Sequence, residues 1–216
     1  MKIQKAYILD CDGVIFDSNQ MKISAVEAVL LNYKKYSDSS IGSCIENFKN
    51  NFGKSRYWHV KEFIKILTIP LNKKSLFQNE FLKDYSEIVS KNYKNVNLCE
   101  GVEEFLKKNT LDKYIVSGSD EDELKEIFKY RNLDKYFKQI YGSPKTKIDN
   151  ISEILSNNLN LQFTMIGDAY SDYIAAKENG IKFIYYKKYS VDHKIVNNLI
   201  KDKNIHELTC WRDLNG

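Results

Sequence analysis

The chain has 216 residues, 43% of them hydrophobic and 29% charged, which suffices for one domain with an insertion or two small domains at roughly 150 residues each. Thirty-three Lys and Arg against 29 Asp and Glu leave a formal charge of +4, scattered as single lysines with no basic block, and this argues against nucleic acid as a partner. The first apolar run, residues 6–9, stops at Asp10, too short for a secretory core or a membrane span, and Cys11, Cys44, Cys99 and Cys210 form no close pair, so a soluble cytoplasmic protein with reduced thiols is expected.

In chain order, residues 6–9 are predicted as a buried strand. Residues 19–96 follow, long, polar and helical in period, with apolar spacing in Ile23-Val26-Val29-Leu30, Tyr57-Val60-Phe63-Ile64-Leu67 and Phe77-Phe81-Leu82-Tyr85-Ile88 and a turn at Pro70, Asn72 and Lys73. Strands at 114–116, 139–141, 163–166 and 183–186 then alternate with helices at 102–108, 123–130, 148–155 and 173–179, the last closed by Gly180. Residues 201–216 show no clear pattern. This order predicts an α/β fold: a Rossmann-like three-layer core of residues 1–18 and 97–216 around a parallel sheet, with an α-helical cap of residues 19–96 inserted after the first strand.

The chemistry-bearing residues fall at strand ends, where open parallel sheets carry their sites. Asp10-Cys11-Asp12-Gly13 ends the first strand; in a regular strand Asp10 and Asp12 point to one face and converge, unless Gly13 bends the chain. Gly167-Asp168-Ala169-Tyr170-Ser171-Asp172 brings a second acid pair to the same edge. Three or four carboxylates with no His or Cys among them call for a hard cation, Mg2+ rather than Zn2+. Ser117-Gly118-Ser119 before a helix offers a hydroxyl and backbone N–H groups for an anion. Lys145 or Lys147, both after Pro144, supplies a positive charge; Lys147 is preferred because it directly precedes the apolar period of Ile148, Ile151 and Ile154. Each piece alone is also an ordinary turn or cap.

Taken in this order, the motifs Asp10-x-Asp12-Gly13-Val14, Ser117, Lys147 and Gly167-Asp168-x-x-x-Asp172 resemble the haloacid dehalogenase-like superfamily over essentially the whole chain. The resemblance implies that Asp10 is a nucleophile that accepts a phosphoryl group, and that Asp12 is the general acid and base. It also implies that Ser117, Gly118 and Lys147 hold phosphate, and that Mg2+ sits on Asp10, the Asp12 backbone carbonyl, Asp168 and Asp172. An acid at position 12 disfavours dehalogenase and phosphonate-cleaving chemistry. Gly53-Lys54-Ser55-Arg56-Tyr57 resembles the specificity loop of β-phosphoglucomutase-like members, so Ser55 and Arg56 are candidate substrate contacts, whereas Trp58 and His59 read as cap packing. The expected activity is a Mg2+-dependent phosphatase for a small phosphorylated metabolite, a sugar phosphate or phosphoglycolate-like molecule, acting as a monomer or homodimer without nucleic acid or membrane. A β-phosphoglucomutase-like phosphomutase is the alternative; a non-catalytic phosphate- or partner-binding module would have no need of Asp10 and Asp12 together.

Overall fold

The computed structural model describes residues 4–191 and 205–215. Its centre is a six-stranded parallel sheet of β1 (Gln4–Leu9), β2 (Asp112–Asp120), β3 (Gln139–Ser143), β4 (Leu161–Gly167), β5 (Lys182–Tyr186) and β6 (His206–Leu208), in the order β3-β2-β1-β4-β5-β6. The two-residue period of the central strands sorts their side chains between two cores. Leu9, Ile115 and Ile166 face one side with Phe105, Phe128 and Trp211, while Ile8, Val116 and Met165 face the other with Ile151, Ile154 and Ala175.

Between β1 and β2 run α1 (Asn19–Leu31), α2 (Asp38–Lys49), α3 (Arg56–Ile66) and α4 (Lys74–Tyr93), then α5 (Val102–Lys108); α6 (Glu121–Tyr130), α7 (Lys147–Asn157) and α8 (Tyr170–Glu178) alternate with the later strands. Four helix starts carry side-chain caps: Ser37 accepts from Ser40 N–H, Ser55 from Trp58 N–H, Asp120 from Asp122 and Glu123 N–H, and Thr146 from Asp149 N–H. The apolar stripe of α4 runs Phe77-Phe81-Tyr85-Val89-Tyr93, a regular i, i+4 row that continues past the predicted one, with Leu82 and Ile88 at its margin.

Helix α2 was not resolved as a separate element by pattern, because only Ile41, Cys44 and Phe48 are buried in a polar, serine-rich stretch. Strand β6 is three residues long with only Leu208 buried, too short for a period, and the rest of the unassigned tail at 201–204 and 216 lies outside the described residues. Trp211 near it is fully buried and donates its indole N–H to Val14 O at 3.2 Å. The chain leaves for α1 and returns from α4 along adjacent paths: Asp17 N–H donates to Asn97 O at 2.9 Å and Cys99 N–H to Ile15 O at 2.9 Å. No helix among the described residues is long and apolar enough to cross a membrane.

Candidate active site

The ends of β1 and β4 bring three acids together. Asp10 follows β1, its N–H still donating to Ile166 O at 3.0 Å; Asp168 follows β4 directly; Asp172 sits in the first turn of α8, where one oxygen accepts from Ala169 N–H at 3.0 Å. All three are buried, and an oxygen from each lies within 4.8 Å of the others. Lys147, the first residue of α7, places Nζ 2.9 Å from Asp10 Oδ1 and 2.5 Å from Asp172 Oδ1.

One ammonium does not balance three carboxylates. Burial, then the charge of Asp172, pushes Asp10 up to about 7 against the pull of Lys147, and burial with Asp10 and Asp172 holds Asp168 well above the usual carboxylate range. Burial would lower Lys147, but Asp10 and Asp172 raise it above an ordinary lysine. Asp168 Oδ2 accepts from the Asn19 amide at 2.6 Å, whereas its Oδ1 is buried without a partner. An unpaired buried carboxylate oxygen amid excess negative charge, in an all-oxygen set, fits a hard divalent cation such as Mg2+.

Asp12 does not converge with this cluster as a regular strand would require. Gly13 takes φ +73°, a left-handed turn, and a Cβ there would overlap the Asp168 carboxylate and the Asn19 amide. The turn sends the Asp12 side chain elsewhere, to accept from Ser18 and Tyr93 at Oδ1 and from Lys22 and Ser119 at Oδ2, the last at 3.0 Å. Burial raises this carboxyl, but the charge of Lys22 and the hydrogen bonds from Lys22, Ser18 and Tyr93 outweigh it and hold Asp12 below its usual range. Asp12 is therefore ionised, not a free carboxylic acid.

A cavity opens between this sheet edge and helices α1–α4, lined among others by Asp10, Asp12, Ser117, Gly118 and Lys147. Of the two candidate lysines only Lys147 reaches it; Lys145 is exposed and paired with Glu153. Ser117 is buried and its hydroxyl accepts from Ser119 N–H at 3.1 Å. Gly118 lets the loop before α3 approach closely, since a Cβ there would stand 2.5 Å from Gly53 O and 2.9 Å from Lys54 O.

Arg56 lines the cavity but spends its terminal nitrogens on Glu123 of α6, at 2.6 and 2.5 Å, and on Ser86 of α4 at 2.6 Å. Ser55 caps α3 and lines a neighbouring cavity with Trp58, on the other side of the Gly53 loop. His59 packs among aromatic rings and also lines the Asp10 cavity. Sequence patterns place none of Lys22, Ser18, Asn19 and Tyr93 at the site, and Ser119 enters them only within the anion-binding Ser117-Gly118-Ser119 stretch, not as a partner of Asp12. A signal existed for two of them: Lys22 falls on the apolar face Ile23-Val26-Val29-Leu30 of α1, and Tyr93 ends the aromatic row of α4.

The sequence model of the haloacid dehalogenase-like hydrolases matches residues 7–186. No curated protein matches the chain by sequence. Among solved structures it is similar to a haloacid dehalogenase-like hydrolase of Streptococcus pneumoniae, with 18% identity, TM-score 0.74 and 100% and 98% of the two chains covered. It is also similar to a predicted phosphatase of Clostridium acetobutylicum (20%, TM-score 0.73, 99% and 97% covered) and a predicted phosphoglycolate phosphatase of Haemophilus somnus (16%, TM-score 0.75, 100% and 98% covered). At these identities the likeness is one of fold.

Proposed function

The chain belongs to the haloacid dehalogenase-like hydrolases, and from that premise we propose that it is a Mg2+-dependent phosphatase that hydrolyses a small phosphorylated metabolite through a phosphoryl group carried on Asp10. The observation that carries this reading is the meeting of Asp10, Asp168, Asp172 and Lys147 at one sheet edge, beside the separately held Asp12. The phosphatase and phosphoglycolate phosphatase descriptions of similar folds point the same way.

Asp10, Asp168 and Asp172, with the Asp12 backbone carbonyl, would hold Mg2+. Bound there, the ion supplies charge neutralisation for Asp10 and for the phosphoryl oxygens. Ser117, the Gly118 N–H and Lys147 orient the phosphate so that its phosphorus faces an Asp10 oxygen. That oxygen attacks, the bond from phosphorus to the leaving oxygen breaks, and the alkoxide takes a proton from the Asp12–Lys22 pair: Asp12 relays it and Lys22 supplies it, becoming neutral. Water then attacks the phosphoryl group, its proton returns through Asp12 to Lys22, and phosphate departs with the Asp10 carboxylate restored. Helices α1–α4, acting as a cap over the edge, exclude bulk water and bound the leaving group.

The test is turnover of p-nitrophenyl phosphate with Mg2+, which Asp10→Asn should lower by several orders of magnitude while the melting temperature stays within a few degrees of the parent. Substantial turnover by the variant would mean another nucleophile.

A further inference from the structure

Outside the acid cluster, the cavity contains a polar side chain that the chemistry above leaves idle. His59 is 2% exposed, and neither Nδ1 nor Nε2 has a hydrogen-bond partner. Its ring is wedged against Phe48, Trp58 and Phe63, with centroids 4.5, 5.2 and 6.1 Å away. A phenylalanine would fill that aromatic slot without burying two unsatisfied nitrogens, each of which costs about 1–3 kcal/mol when left unpaired. Packing accounts for the ring but not for its nitrogens.

We propose that His59 is a specificity residue that hydrogen-bonds a hydroxyl on the leaving group, so that the substrate is the phosphate ester of a polyhydroxylated alcohol. The inference rests on the phosphatase reading and deepens it. Two cations on this side of the cavity are already engaged, Lys22 with Asp12 and Ser119 and the terminal nitrogens of Arg56 with Glu123 and Ser86, while the third, Lys54, holds its ammonium over the Trp58 ring and like them can only donate. Arg56 Nε is buried and unpaired, and it can only donate. His59 supplies what these groups lack. Burial, with the charges of Lys22 and Lys54, lowers it to about 3, so the imidazole is neutral and offers one N–H and one lone pair. A carboxylate on the leaving group would take the donors and leave the lone pair empty; a hydroxyl proton fills it. The aromatic wedge fixes the ring beforehand, so little ordering is needed when the hydroxyl arrives.

The experiment compares matched esters that differ only in hydroxyls, sn-glycerol 3-phosphate against n-propyl phosphate, in the intact protein with Mg2+. The parent should prefer the hydroxylated member at least about tenfold in kcat/KM, mostly through KM. His59→Phe should bring the ratio near one, and His59→Gln, which keeps a donor and an acceptor, should restore part of it. A ratio that survives in His59→Phe, or a parent without the preference, overturns the proposal. Where the variants do not fold, the imidazole nitrogen resonances of His59 in the parent decide: they should shift with glycerol 3-phosphate and not with propyl phosphate, and equal responses overturn the assignment. A parent that turns over no phosphate ester refutes the phosphatase reading itself, and those resonances still judge His59 separately.

Discussion

Replacing Lys22 by methionine keeps most of the side chain's apolar stem and removes its charge together with the hydrogen bonds it donates to Asp12 and Ser119. Lys22 and Asp12 are 7% and 5% exposed, so the variant strands a buried carboxylate that retains the three neutral donors Ser18, Tyr93 and Ser119. Losing one partner of a buried pair costs about 3–5 kcal/mol. The loss has a ceiling, because Asp12 can take up a proton at about 1.4 kcal/mol per pH unit above an unfolded value near 3.9. That ceiling is about 4 kcal/mol at pH 7 and about 1.5 kcal/mol at pH 5. In the parent, the depressed Asp12 value contributes stability that is present above about pH 4 and is lost only as pH falls through the lower, folded value, so this group is constant between pH 5 and 7. The pH dependence therefore belongs to the variant. At about 2–4 °C per kcal/mol for a chain of this size, Lys22→Met should melt about 8–16 °C below the parent at pH 7 and about 3–6 °C below it at pH 5. Thermal unfolding of both proteins at the two pH values is the assay. An equal depression at pH 5 and pH 7, or one under about 2 °C at pH 7, would refute the claim that Lys22 holds the Asp12 charge.

Metal-free protein should lose stability as pH rises from about 4 to 7, because Asp10 is raised to about 7 in the fold and binds a proton there that the unfolded chain releases. Mg2+ at a hundredfold excess over its Kd should add about 2.7 kcal/mol and flatten that slope, read as melting temperature with and without the ion; a pH-independent melting point in EDTA would contradict it. A double-mutant cycle of Arg56→Ala and Glu123→Ala should give a coupling of about 1–3 kcal/mol, since the pair is bidentate and Glu123 keeps some contact with water. A coupling near zero would return Arg56 to substrate binding alone.

Strand ends and the residues at them were legible because the signals are local. A buried run, then Asp or Gly-Asp, places a side chain at the sheet edge with only the strand period to go by, and Asp10 and Asp168 stand there in the structure, whereas Ser117 lies within β2, which runs on to Asp120. Lys147 could be preferred over Lys145 because the start of α7 is set by the apolar period after it. The surroundings of Asp12 were not legible. Its four donors come from the turn after β1, from α1, from the end of α4 and from β2, up to 107 positions away, and no local pattern pairs them. Likewise Arg56 stood out through the resemblance of its loop, but its bond to Glu123 depends on how α3 lies against α6, which is a matter of tertiary packing. His59 looked like aromatic filler for the same reason: sequence shows a ring's neighbours on its own helix, not whether its nitrogens find partners.

The side-by-side passage of residues 15–17 and 97–99, tied by the hydrogen bonds from Asp17 to Asn97 and from Cys99 to Ile15, has an evolutionary consequence. A segment whose two ends meet at neighbouring points can be lengthened, trimmed or exchanged without changing the register of any strand in the sheet. Selection can then reshape the segment between them while the carboxylates at the sheet edge keep their positions, so a change there is able to arise by recombination or drift in one contiguous stretch of the gene.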